Sequence, residues 1–227
     1  MTTPMTIQEA MKERHLVRRY LEKPIPAEAA TQLRERIQAD NQESGLSLTL
    51  VTDNADGLGA MAKLISKNVR NYIVLAGPDT PGLDEALGYW GADVMLFAQT
   101  LGLNSWWVGG MFNAKGAAKH LSDPDLRING VIAVGYGATQ GVPHKSKTAA
   151  DISSYDGEAP RWFQEGVSAL LLAPTALNKQ AYRVRGKGSE AMLTCDSGHF
   201  AGIDLGIGRY HFEAGAGRDN FEWAEPR

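Results

Sequence analysis

One stretch of this chain limits the possible folds more than any other. Leu83 to Leu101 reads as a helix whose charges are confined to Asp84, Glu85 and Asp93. A helix with one wet side shows a polar face. This one is apolar over most of its surface, so it belongs at the centre, with other elements wrapped around it. The chain has 227 residues, which fits one large domain or two small ones. No apolar run approaches the ~18 residues that a membrane span needs, and Met1 to Ala10 lack the apolar core of a secretory signal. The net charge of −3 provides no global field for nucleic acid or an anionic membrane. A single cysteine, Cys195, rules out an internal disulfide or a thiolate zinc site, and a reducing, cytoplasmic setting is the expectation. The five histidines lack metal-ligand spacing, so no metal is expected.

The rest of the chain divides by periodicity. Ile7 to Arg14 is an expected helix, with Thr6 and Glu9 spaced as a capping box. Val17 to Tyr20 is extended, and Pro24 and Pro26 interrupt the chain. Ala27 to Ala39 has Ala30, Leu33 and Ile37 on one helical face. Strands are expected at Leu46 to Val51, Asn71 to Ala76, Asn104 to Val108, Gly130 to Tyr136, Gln180 to Val184 and Ala191 to Asp196. Helices are expected at Arg161 to Leu172 and at the glycine-rich Gly198 to Tyr210. Gly141 to Ser153 is polar and irregular, and Ala216 to Arg227 is weakly patterned. The irregular alternation gives an α+β class rather than a doubly wound sheet. The order also recurs. Ala27 to Val51 can be laid on Pro160 to Val184, Asn71 to Ala76 on Glu190 to Cys195, and Tyr89 to Val94 on Phe200 to Leu205. The expectation is two related α+β halves, residues 1–153 and 154–227, forming a pseudo-dimer within one chain.

Several groups could carry chemistry. Arg14, His15, Arg18 and Arg19 crowd the end of the first helix, and His144, Lys145 and Lys147 follow the turn at Gly135-Tyr136-Gly137. Arginine forks and lysine point charges suit a phosphate; a solvated charged surface is the alternative. That glycine turn is no dinucleotide fingerprint, because Val142-Pro143-His144-Lys145 does not start a helix. In Trp106-Trp107-Val108-Gly109-Gly110 the glycines would let backbone approach a flat ligand, or simply make a tight turn. The loop Ala173 to Gln180 offers the Thr175 hydroxyl and the amides of Asn178 and Gln180, which suit the edge of a heterocycle, or it is an ordinary connection. Asp196, Ser197 and His199 are too close in sequence to align as a triad, and Cys195 reads as a buried thiol.

In this order the pieces resemble the nitroreductase superfamily of FMN-dependent oxidoreductases, over about residues 7 to 215. Within it they resemble the branch with two tandem α+β halves in one chain. The resemblance implies a nitroreductase-like fold in which Arg14, His15 and Arg18 grip the FMN phosphate and ribityl chain. Leu16 stands in this segment where a serine is common. Lys145 and Lys147 would close on the same phosphate. The backbone of Val108, Gly109 and Gly110 would face the flavin N5, with Gly109 where an acidic residue is frequent. Pro174, Thr175, Ala176, Asn178 and Gln180 resemble the family's Pro-Ser-x-x-Asn-x-Gln loop. Ordinary members receive that loop from a partner subunit; here the second half would supply it, so a monomer would suffice. The implied activity is reduction of a small nitroaromatic or quinone-like acceptor by ping-pong hydride transfer, with NAD(P)H as co-substrate. The flavin carries that chemistry, so no protein nucleophile is required. Dehalogenation, flavin destruction, dehydrogenation and non-catalytic flavin storage are the other roles the resemblance allows.

Overall fold

The computed structural model describes residues 4–224. In chain order the elements are α1 (Ile7–Glu13), α2 (Ala27–Ser44), β1 (Thr49–Val51), α3 (Ala60–Leu64), β2 (Tyr72–Gly77), α4 (Leu83–Thr100), β3 (Asn104–Val108), α5 (Ala114–Ala118), β4 (Arg127–Gly135), α6 (Ala149–Ile152), β5 (Ser153–Asp156), α7 (Arg161–Leu170), β6 (Tyr182–Lys187), β7 (Glu190–Cys195), α8 (Ala201–Ala216) and β8 (Glu222–Trp223). The strands make two four-stranded sheets, ordered β1-β2-β4-β3 and β5-β6-β7-β8. All pairs in the first sheet are antiparallel. In the second, β6 and β7 are antiparallel, whereas β5 and β8 lie parallel to their neighbours. This is an α+β architecture, and α4 is its buried axis, enclosed at Leu87, Ala92, Met95 and Leu96.

The two sheets differ in how they are covered. The main core lies between them and includes Ile73, Leu75, Ile132, Val184 and Leu193. A second core covers the far side of the first sheet through Val74, Trp106, Val131 and Ala133. Every residue of β2 is therefore buried, as its unbroken apolar run requires. In β6, buried Tyr182, Val184 and Gly186 alternate with exposed Arg183, Arg185 and Lys187, so one face of the second sheet meets solvent.

Several boundaries differ from expectation. α2 continues to Ser44 through a polar run that shows no amphipathic signal. The Asn41 amide bonds both the N–H and the carbonyl of Leu48, at 2.8 and 2.9 Å, and Gly45 (φ +72°) ends the helix. β1 shortens to Thr49–Val51, although Leu46 and Leu48 still reach the core. The stretch read as irregular contains α6, and β5 starts at Ser153 across the expected division at 153/154. The tail contributes β8.

The helices α4 and α8 cross in direct contact at glycines. A Cβ on Gly88 would collide with the carbonyl of Ile203, and one on Gly206 with the carbonyl of Glu85. These two contacts exchange under one constant shift of residue number, Glu85 to Ile203 and Gly88 to Gly206. The same shift carries β2 onto β7 and the start of α4 onto the start of α8. Under it Tyr89 meets Ile207 rather than Phe200. The expected helix alignment thus slips by about two turns, after which a helical pattern nearly repeats. The strand alignment slips by one residue.

Candidate functional site

Arg14 sits at the C-terminal end of α1. The helix begins with the expected box, Thr6 bonding Glu9 in both directions. Ala10 and Met11 anchor it against Leu96 of α4 and Ala169 of α7. The chain therefore enters the interior there, and Arg14 is only 5% exposed. Its Nε has no hydrogen-bond partner within the protein, and the residue enters no ion pair among the described residues. Burial lowers its guanidinium to about 10. His15 follows half-buried, its imidazole lowered by burial and then by the Arg14 charge. Leu16 pairs with Ser105 at the start of β3 and is half exposed. Arg18 lies 5.2 Å from the centre of the Trp106 ring.

The loop of His144, Lys145 and Lys147 is brought to this segment. Gly141 (φ +74°) packs so closely on it that a Cβ would come within 2.8 Å of the His15 Cβ and 2.9 Å of the Leu16 carbonyl. The second half's loop then laces onto the basic one. Lys147 donates its backbone N–H to Gln180 Oε1 at 2.7 Å and its amino group to the Gln180 carbonyl at 2.8 Å. Gln180 Nε2 reaches the Leu171 carbonyl and Ser146 Oγ at 3.1 and 3.2 Å. Asn178 Nδ2 donates to the Lys145 carbonyl at 2.9 Å. The Gln180 amide is buried and engaged inside the protein, where it fastens the two loops together; Asn178 is exposed. Thr175 Oγ1 accepts the Gln180 N–H at 3.0 Å, and Ala176 donates its N–H to Asp204. Pro174 is half-buried at the loop's start.

Val108, Gly109 and Gly110 lie at the opposite end of β3 from Ser105. They make no hydrogen bond to the basic residues; Gly109 and Gly110 pack beside the Phe200 ring instead. Trp106 is buried in the second core, while Trp90, Trp107 and Tyr136 pack against the main core. A cavity of about 810 Å³ lies on the open face of the second sheet at Arg183, Arg185 and Thr194; none of the site residues line it.

Gly141 thus ties two basic segments together next to His15. Arg14, Arg18, Arg19, Lys145 and Lys147 come from two segments, and none enters an ion pair among the described residues. A buried guanidinium without a carboxylate suits an exogenous anion. Two residues that shape the site carry little sequence signal. His211 of α8 is fully buried beside the Arg14 charge and is lowered to about 3 by burial. Asp204 of α8 takes the Ala176 N–H. An acid in the first turn of a glycine-rich helix was the only available clue.

Solved structures place this architecture in the nitroreductase fold. A putative nitroreductase from Thermotoga maritima superposes with a TM-score of 0.70 at 21% identity, over 100% of this chain and 92% of that one. A putative nitroreductase from Desulfovibrio desulfuricans, solved in complex with FMN, gives 0.52 at 18% identity, over 70% and 99%. A putative NADH dehydrogenase/NAD(P)H nitroreductase from Parabacteroides distasonis gives 0.52 at 22% identity, over 64% and 95%. No curated protein matches. The family model described as "Putative TM nitroreductase" matches residues 6–216, and the chain belongs to that family.

Proposed function

We propose that the protein is an FMN-dependent oxidoreductase that uses NAD(P)H to reduce a small electrophilic acceptor of the nitroaromatic or quinone class by a ping-pong route. The observation that carries this reading is the buried Arg14, without a carboxylate partner among the described residues, in a segment packed by Gly141 against a basic loop that is fastened to Asn178 and Gln180. The residues present fit a flavin mononucleotide. Arg14, Arg18, Lys145 and Lys147 supply the positive charge a dianionic phosphate needs. Leu16 removes one hydroxyl from the expected grip without altering that charge. The Phe200 ring lies against Gly109 and Gly110 and would have to move aside for a flat ring, whose N5 side their backbone N–H groups would then favour as an anion. The exposed Asn178 amide would meet the ring edge, while Gln180 keeps the loop in place. When bound, the flavin supplies two-electron hydride chemistry. Because the loop comes from the second half, one chain holds a complete site and a monomer suffices.

The test is an anaerobic absorption spectrum of the purified chain with FMN and then NADPH or NADH. Flavin bands that bleach with the nucleotide and return with a nitroaromatic or quinone support the enzyme. Uptake of FMN without reduction favours flavin storage. No uptake refutes the cofactor assignment.

A further inference from the structure

We propose that Asp204 is the positioning residue of the loop at 174–180, holding it through the Ala176 N–H in the shape that presents Asn178 to the basic loop; its consequence for flavin rests on the function proposed above.

The loop needs such a restraint. Leu177, Asn178 and Gln180 all have positive φ, at +54°, +54° and +43°. Left-handed backbone is costly for residues with a side chain, and it persists only where surroundings over-determine it. Apolar packing does not provide the restraint at the tip, because Leu177 is 87% exposed. Hydrogen bonds must do so. Those within the loop, from the N–H groups of Asn178 and Gln180 to Thr175, close the turn but do not fix it to the body. One anchor runs from Asn178 and Gln180 to the basic loop. The other runs to α8 and the segment before it. There Ala176 N–H lies 3.0 and 3.2 Å from the two Asp204 oxygens, and Lys179 Nζ lies 3.3 Å from the Ser197 carbonyl.

Asp204 is suited to this work. It is 2% exposed and lies in the first turn of α8, where the helix dipole favours a negative charge. It enters no ion pair among the described residues; burial raises its carboxyl, and the Ser197 hydroxyl, the Ala176 N–H and the Lys179 charge counter that by favouring the ionised form. A charge-assisted bond to a backbone N–H is about twice as strong as a neutral one. The Tyr182 hydroxyl donates to the Asp204 carbonyl at 2.9 Å, so loop, β6 and α8 meet at one residue.

The experiment removes each side of the bond in the full-length chain. Asp204→Ala removes the acceptor, and Asp204→Asn keeps an oxygen there. Ala176→Pro removes the donor at the first position of a short 3-10 turn, where proline is tolerated and the preceding Thr175 is already extended. Hydrogen exchange of the Asn178 and Gln180 amides is read without FMN, and FMN affinity is read separately. The expected result is about tenfold or faster exchange at these amides in Asp204→Ala and Ala176→Pro, with no further gain in the double variant and unchanged protection in β2 and α4. FMN affinity falls about ten- to a hundredfold in both, and Asp204→Asn recovers most of it. Unchanged loop exchange, additive effects, or loosening spread through α4 would overturn the proposal. So would full FMN affinity in a chain whose loop has loosened. If the natural chain takes up no FMN, the flavin reading fails, and the exchange data alone decide whether Asp204 positions the loop.

Discussion

Arg14 sets binding against stability. Burial lowers its guanidinium to about 10, a cost of about 3 kcal/mol. For a base lowered in the folded state, that cost is fully present below about pH 10 and fades as pH rises above it. Arg14→Met removes the buried charge and keeps an apolar stem. The FMN-free variant is expected to gain about 1 kcal/mol or more in urea unfolding while losing about 1.5–3 kcal/mol of FMN affinity. A variant that loses both stability and affinity would show that Arg14 is held for packing. Arg18→Ala, which deletes an exposed cation, should lose similar affinity with no gain in stability. Asp40 behaves in the opposite sense. It is buried near Asp93, Arg36 and Glu43, and Tyr210 bonds the same Asp93. Burial, and next the Asp93 charge, push its carboxyl up to about 8. An acid raised in the folded state favours folding below its unfolded value of 3.8 and loses that contribution as pH rises through about 8. Asp40→Asn is therefore expected to flatten the fall in stability between about pH 4 and pH 8, measured by urea midpoint. The basic types at 14, 18, 145 and 147 were visible in the sequence. The burial of Arg14, the engagement of Gln180 and the proximity of Asp40 to Asp93 were not, because each depends on elements distant along the chain.

Legibility at the level of elements follows the range of the interactions that build them. α1 appears with its expected start because Thr6 and Glu9 settle the cap within one turn. That cap has a functional consequence, since a helix this short delivers Arg14 into the interior. Thr6→Ala should cost about 1 kcal/mol in urea unfolding. It should also raise amide exchange in α1 selectively; unchanged exchange would show that packing against α4 alone holds the helix. β2 and α4 were legible for a different reason: burial of every residue gives β2 an unbroken apolar run, and burial over most of its surface leaves α4 with few charges. α6, β5 and β8 were not. They are two to four residues long, and distant partners create both strands: β5 pairs with β6 and β8 with β7. Too few side chains alternate in such a strand for its period to register.

At the scale of the whole molecule, the reciprocal glycine contacts between α4 and α8 bear on the proposed internal pseudo-dimer. Gly206→Ala would drive a Cβ into the Glu85 backbone, and Gly88→Ala would do the same at Ile203. Each should cost about 1–3 kcal/mol or more, and the double variant should cost less than the sum, because separating the helices once relieves both clashes. Applied to the proposed site, the same shift relates His211, in the field of Arg14, to Asp93. Around Asp93 there is no unpaired guanidinium among the described residues. Arg36 Nε holds its carboxylate at 2.6 Å, Tyr210 donates to it at 2.6 Å, and buried Asp40 lies beside it. The Arg36 guanidinium is already taken by Asp93, so no free cation awaits a phosphate there, whereas the cations at Arg14 would attract one. Titration followed by flavin absorbance should therefore give one FMN per chain, and light scattering should find the loaded protein still able to exist as a monomer. Two FMN per chain would mean that the mirror-related place still binds flavin; FMN held only by dimers would mean that the loop at 174–180 serves a neighbouring chain rather than its own.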